Sequence, residues 1–391
     1  MRSSKCILLT GILGSLLAVL GISPAVACLV CSTPIAEQTV GYTAQGTAWD
    51  GMSGVQGNLR DIRDQLQGTP AAPSGVLRYN SDSSGPSVLD DEDADLLSPD
   101  SLAYTKKTKS KKNPIADVPP APPVSTIQYA AWGQGFYDTE WRNGSVGGVD
   151  IGRTTHTLGG IGGADAVMTN VRTKGDAVVF GILTGITSSR VNANDGSTAH
   201  VSGPGVGFYA AYVDGGASVD TSFKVDFFSI DTAAPAAAPQ SLGLNNYLWA
   251  TNFNYKFQNV IGSWWVEPTA GFAYTSTVWN GASHAQGFTD GTDTRLQAGA
   301  RIGTATTWNG MSVEPSLLFR FYDDVSITGG TVAGVVAPAA PSDAGKLFAA
   351  ATGRVNVGVT NNIAAFLEGE LRGTSGVLGA AINGGFRYTF K

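Results

Sequence analysis

Three histidines, His156, His200 and His284, and the two glutamates Glu267 and Glu314 are the residues whose types suit acid–base chemistry. An imidazole titrates near neutrality, and a carboxyl pair can divide proton donor from acceptor. Their spacing builds no catalytic unit: the chain has no G-x-S-x-G elbow, no H-E-x-x-H and no Cys-His cluster. The run Gly159-Gly160-Ile161-Gly162-Gly163 has the composition of a phosphate-cradling loop, but no strand-turn-helix unit surrounds it, and close packing of a glycine-rich strand explains it better. Cys28-Leu29-Val30-Cys31 spaces two thiols for a small disulfide in an oxidising compartment. Neither an enzyme nor a cofactor site is expected.

Charge narrows the partners. The formal net charge is −6 over 391 residues, so nucleic acid is excluded as a partner, because phosphate binding needs clustered Lys and Arg. The lysine cluster from Lys106 to Lys112 follows the acidic block Asp90 to Asp95, which neutralises it locally. It reads as a solvated linker before it reads as a site for anionic lipid headgroups.

The N-terminus sets the compartment. Arg2 and Lys5 precede an apolar run from Ile7 to Ile22, and Ala25-Val26-Ala27 is an A-x-A cleavage site, so residues 1–27 are expected to be a secretory signal peptide that includes Cys6. The run is shorter than the ~20 residues of a spanning helix. The mature chain then begins at Cys28. Ala25-Val26-Ala27-Cys28 resembles a lipoprotein cleavage box, which makes lipidation of Cys28 an alternative to its pairing with Cys31.

Composition shifts near residue 126. From 28 to 125 the chain passes through the acidic block, the lysine cluster and Pro119-Pro120-Ala121-Pro122-Pro123, and it cannot bury enough apolar surface to offset its ordering entropy. It is expected to be largely disordered. One short amphipathic helix is expected over Val55 to Gln67, where Val55, Leu59, Ile62 and Leu66 recur at helical spacing around Asn58, Arg60, Asp61 and Asp64.

Beyond residue 126 the pattern becomes segments of about ten alternating residues between turns, the signature of a transmembrane β-barrel. Charged residues are only 14% of the chain, against ~25% in soluble domains, yet no mature segment is an apolar run of spanning length. The expected fold is all-β: an antiparallel barrel over 126–391. Twelve strands are expected near 128–140, 156–169, 176–189, 202–213, 217–230, 246–257, 263–276, 293–306, 311–322, 346–358, 362–373 and 377–390.

Parity assigns the faces. Tyr247, Trp249, Phe253, Tyr255 and Phe257 oppose Asn252, Asn254 and Lys256; Leu296, Ala298, Ala300 and Ile302 oppose Arg295, Gln297 and Arg301. A Lys or Arg facing mid-bilayer costs ~2–4 kcal/mol, so the charged set faces the lumen. By the same logic Glu267, Glu314, Arg320, Arg354, Glu368 and Glu370 point inward, where Glu267 and Glu314 are expected either to solvate the lumen or to pair with Arg301 and Arg320. The third and fourth strands are ambiguous, because Val178, Val179, Phe180, Ile182 and Leu183 occupy both parities.

Short connections near 171–175, 214–216, 258–262, 308–310 and 360–361 alternate with longer ones that include 233–245 and 323–345. Short turns belong in the periplasm, so both barrel ends face it and all three histidines fall in or near the outer connections. The last strand carries Asn383, Gly385, Phe386, Tyr388 and Phe390, with Lys391 trailing. This resembles the terminal signal by which outer-membrane barrels are recognised by their assembly machinery. Outer-membrane lipid and that machinery are the expected partners, and the oligomeric state is left open.

The stretch from Trp132 to Phe390 resembles the translocator β-domain of autotransporters. Trp132-Gly133-Gln134-Gly135 opens the first strand, Gly159 to Gly163 fills the second, and Val266-Glu267-Pro268 and Val313-Glu314-Pro315 sit in the seventh and ninth. The resemblance implies a bacterial outer-membrane barrel that holds a segment of its own chain in the lumen just before the first strand and displays what precedes it. Here Asn113 to Ser125 is expected to cross the bilayer through the lumen, with the rest of the N-terminal segment 28–125 displayed ahead of it. The alternative is a small porin or structural barrel with a periplasmic tail. Self-cleaving members of the family cut between two asparagines in the lumenal segment, and Asn113 stands alone there, so the chain is expected to stay intact.

Overall fold

Backbone amides facing lipid have no water to satisfy them, so strands can cross only as a closed ring. The computed structural model shows that ring and describes residues 35–68, 125–146, 149–235, 237–329 and 345–390. The signal peptide, Cys28, Cys31, the acidic block, the lysine cluster and the proline block lie outside the described residues. Twelve antiparallel strands form the barrel: β1 Thr126–Arg142, β2 Arg153–Thr169, β3 Ala177–Ala193, β4 Thr198–Asp214, β5 Ala217–Ala234, β6 Ala237–Tyr255, β7 Trp264–Trp279, β8 Gly291–Thr304, β9 Met311–Thr328, β10 Phe348–Gly358, β11 Ile363–Thr374 and β12 Val377–Thr389. Each pairs with its sequence neighbours, and β1 closes the ring on β12 from Ala130 against Thr389 to Arg142 against Val377. Short accessory strands lie at Phe257–Ile261 and Thr306–Trp308.

The turns fix register where the sequence supplies left-handed residues. Asn309 and Gly310 both have positive φ, 50° and 78°, which suits the tight reversal into β9. The glycine run of β2 is a packing device: a Cβ on Gly159 would overlap the ring of Phe136, and one on Gly163 would overlap the carbonyl of Ile182.

Two expectations are corrected here. The connection expected over 233–245 is mostly strand, because Leu242 and Leu244 turn inward and join Phe228 and Ile230 in one buried cluster, which extends β5 and β6 into a protruding hairpin. The larger correction is a 32-residue helix, α1, over Ile35–Leu66, where only its last third was expected to be ordered. It runs along the barrel's interior. A helix of that length spans about 48 Å, more than the ~30 Å hydrocarbon core.

Helix α1 is poor in intrinsic propensity, with glycines at 41, 46, 51, 54 and 57, and is held by burial instead. Ala36, Val40, Ala44, Ala48, Met52, Val55, Leu59 and Ile62 recur every three or four residues and are at most 1% exposed. They share one cluster with Val179, Leu183 and Val191 of β3, Ala199 and Val201 of β4, and inward residues of β5 and β6. One half of the inner wall is therefore apolar. This resolves the ambiguity of the third and fourth strands: Val179 and Leu183 pack on the helix while Phe180 and Ile182 face outward.

The helix-filled lumen as candidate functional site

The lumen's other half is charged, and the last two turns of α1 meet it. Arg60 reaches Glu368 at 3.1 Å; Asp61 receives Arg354 at 2.6 and 2.7 Å; Arg63 bridges Asp220 at 2.8 Å and Glu267 at 3.1 Å. Asp64 takes both terminal nitrogens of Arg301, at 2.6 and 2.7 Å, and Nζ of Lys256 at 3.0 Å. Four helix charges of balanced sign thus face wall charges of the opposite sign. Burying a lone ion costs several kcal/mol, so the arrangement is tolerated only because each partner is present and hydrogen-bonded.

Deeper in the same wall, Asn58 is held at both ends of its amide. Its Nδ2 donates to the Tyr209 hydroxyl at 3.1 Å, and its Oδ1 accepts from Arg387 at 2.9 Å. Tyr209 in turn donates to Asp165 at 2.7 Å and accepts from Trp132 Nε1 at 2.7 Å. Arg387 completes the group by binding Asp165 with both nitrogens, at 2.8 and 2.5 Å.

Both helix ends are fastened to the barrel. At the amino end, Ile35 N donates to Asp195 Oδ2 at 2.9 Å and Ala36 N to Ser197 Oγ at 3.0 Å, so the β3–β4 turn satisfies two of the helix's orphan amides. Burial alone would raise the Asp195 carboxyl, but the Ile35 amide and Ser197 hold it below the usual range. At the carboxyl end, Gln67 Nε2 donates to the carbonyls of Gly215 and Gly216 at 3.1 and 3.0 Å, and Gln258 donates to the Gln67 carbonyl. The amino end therefore lies at the rim that carries the longer connections, and the carboxyl end at the rim of short turns.

The residues expected inside the barrel fall as follows. Glu267, Arg301, Arg354 and Glu368 are buried and take part in the helix contacts just described. Glu314 pairs with Lys256 at 3.5 Å rather than with Arg320, which instead reaches Glu370 at 3.2 Å; this corrects the expected pairing. Arg295 lies between the rings of Trp49 and Tyr322, 4.5 and 4.4 Å from their centroids, and binds Asp324 at 2.6 Å. Asn383 donates to Glu368 at 3.0 Å, Gly385 packs close to the Gly133 carbonyl, and Tyr388 and Phe390 meet edge to face with centroids 5.1 Å apart on the outer wall.

Sequence reasoning missed Arg63, Asp165, Asp220 and Tyr209 as lumenal partners. The inward parity of β2, β4 and β5 could have found the wall residues. The segment expected in the lumen, Asn113 to Ser125, lies outside the described residues up to 124; among the described residues it is 35–66 that fills the lumen, and α1 ends at Leu66 while β1 begins only at Thr126.

Comparison with known proteins agrees with this geometry. The structure is similar to the β domain of the Bordetella autotransporter BrkA, with a TM-score of 0.53 at 18% identity over 67% of this chain and 100% of that one. It is also similar to the transport unit of the autotransporter AIDA-I from Escherichia coli, with a TM-score of 0.50 at 12% identity over 67% of this chain and 90% of that one. No curated protein matches the sequence. The family model described as the autotransporter beta-domain matches residues 131–370, more than half of the chain. With the closed twelve-strand ring and its own helix held inside, this chain belongs to the autotransporter β-domain family.

Proposed function

We propose that the barrel carries its own α1 across the outer membrane, so that the residues ahead of Ile35 reach the cell surface while the stretch between α1 and β1 stays in the periplasm. The polarity of α1 carries this reading. Its amino end is capped by Asp195 and Ser197 at the rim with the longer connections, and its carboxyl end is held by Gly215, Gly216 and Gln258 at the rim of short turns. Short turns belong to the periplasm. Gly68 and Ser125, which bound the intervening stretch, then both lie on the periplasmic side. The acidic, basic and proline-rich blocks are on this reading a periplasmic insertion rather than cargo.

Two epitopes test the reading. One inserted at Thr33 should be labelled on intact cells, and one at Gly85 only after the outer membrane is permeabilised. Labelling at Gly85 on intact cells would overturn the proposal. The small-porin reading draws on a cavity of about 160 Å³ between α1 and the β8–β11 wall, lined by Trp49, Asp50, Arg295, Arg320, Glu370 and Arg372. High conductance by the full chain in planar bilayers would favour it.

A further inference from the structure

The lipid-facing wall of β3 changes character along its length. Phe180, Ile182 and Ile186 are 55%, 67% and 63% exposed, as lipid contact requires; then come Ser188 and the exposed Arg190. Neighbouring strands change at the same register. Ile186 lies opposite Pro204, Ser188 opposite Ser202, which lies opposite Ser229, and Arg190 opposite both His156 and His200, with Asp231 beyond His200. Apolar, hydroxyl and charged residues thus form three successive rows across β3 to β5, while on β2 Leu158 lies opposite Ser188 and His156 extends the charged row.

The charged row lies past the about ten residues that a tilted strand needs to cross the hydrocarbon, so it sits at the headgroup level of the outer leaflet. A concave recess of about 570 Å³ runs along it, lined by Tyr137, His156, Leu158, Ser188, Arg190 and His200 among others. The inner wall's cations are paired with carboxylates. Arg190 is not: none of the described residues gives its guanidinium a hydrogen bond or an ion pair.

We propose that this recess binds the phosphate of a phosphorylated glycolipid headgroup in the outer leaflet. Arg190 supplies a permanent charge and a planar fork of donors matched to phosphate oxygens. His156 uses Nδ1 toward Tyr137 at 3.0 Å and Thr139 at 3.1 Å, which leaves Nε2 for the ligand; His200 meets Ser188 at 2.9 Å through Nε2, which leaves Nδ1. Leu158 and Ile186 below the row give the lipid's acyl chains an apolar surface. Asp231 closes the far side, where its charge opposes phosphate and confines the site to the β2–β4 side of the recess. The assignment goes beyond the display function and rests only on the barrel's orientation.

The test uses the full chain purified in detergent, with lipid A, its dephosphorylated form, phosphatidylglycerol and inorganic phosphate as probes in native mass spectrometry. Lipid A should bind, and Arg190→Ala with His200→Ala should weaken it about tenfold, the scale expected for charged hydrogen bonds, while the barrel stays heat-modifiable. Asp231→Asn should tighten it. Equal binding by the double variant, equal binding of dephosphorylated lipid A or phosphatidylglycerol, or binding of inorganic phosphate alone would each overturn the proposal. Because the assay does not depend on where an epitope is exposed, its failure is distinguishable from failure of the display reading.

Discussion

Arg301 on β8 and Asp64 on α1 meet as a two-pronged pair, both guanidinium nitrogens within 2.7 Å of carboxylate oxygens, 237 positions apart in sequence. Arg301 also reaches Glu267 at 2.9 Å, and its guanidinium stacks 4.4 Å over Trp265. Both partners are buried. Removing one leaves the other uncompensated, whereas removing both leaves Arg63 to serve Glu267 and Glu314 to serve Lys256.

Arg301→Ala should therefore destabilise the folded barrel by about 3–5 kcal/mol, and Arg301→Met with Asp64→Leu by less than either single change. Urea titration of the heat-modifiable form measures this. Additive losses would show that the two residues act separately.

The anchoring of α1 at its amino end should depend on pH only in acid. The folded carboxyl of Asp195 titrates below its unfolded value of ~3.9, so its contribution is complete above that value and is lost as pH falls through the lower, folded one. Asp195→Asn should loosen the first turn by about 1 kcal/mol at neutral pH and abolish the acid dependence. Hydrogen exchange at the amides of Ile35 to Thr39 reads this directly, and equal protection in both proteins would refute it.

The barrel was legible because lipid demands an apolar residue at every second position, and Trp249, Phe253, Phe319 and Leu367 satisfy that demand without regard to their neighbours. The lumen was only half legible. Parity sends Glu314 and Arg320 inward, but their partners depend on what lies between the walls, and Lys256 reaches Glu314 from the side where α1 packs. The first two thirds of α1 were hidden for a related reason. Its glycines and threonines argue against a free helix, and its apolar stripe of alanines and valines has meaning only opposite Val179, Leu183, Val201 and Ile230.

At the seam, Phe390 N donates to the Tyr129 carbonyl at 2.8 Å, so the terminal aromatic residue helps to close the ring. Tyr388→Ala with Phe390→Ala should sharply reduce the heat-modifiable barrel found in outer-membrane fractions, through loss of the recognition signal and of the closing contact. Deleting Lys391 should leave assembly unchanged. Normal yield of the double variant would count against a role for the terminal aromatics.

The chain should also remain uncut within the barrel. The asparagine of α1 is Asn58, followed by Leu59 rather than by a second asparagine; Asn113, the residue singled out from sequence, lies outside the described residues. Cleavage after an asparagine requires its side-chain nitrogen to attack its own carbonyl carbon, which means rotating that peptide group out of line. Asn58 lies inside α1, where its carbonyl belongs to the i→i+4 ladder, and its amide is held between Tyr209 and Arg387. Productive rotation would break the helix and both contacts in a lumen packed around it. Intact-mass analysis of outer-membrane protein, with protease inhibitors present, should find the helix and barrel in a single chain. A barrel fragment beginning at Leu59 would show that the Asn58 site is a reaction centre instead of a clamp, and Tyr209→Phe would then be expected to slow its appearance.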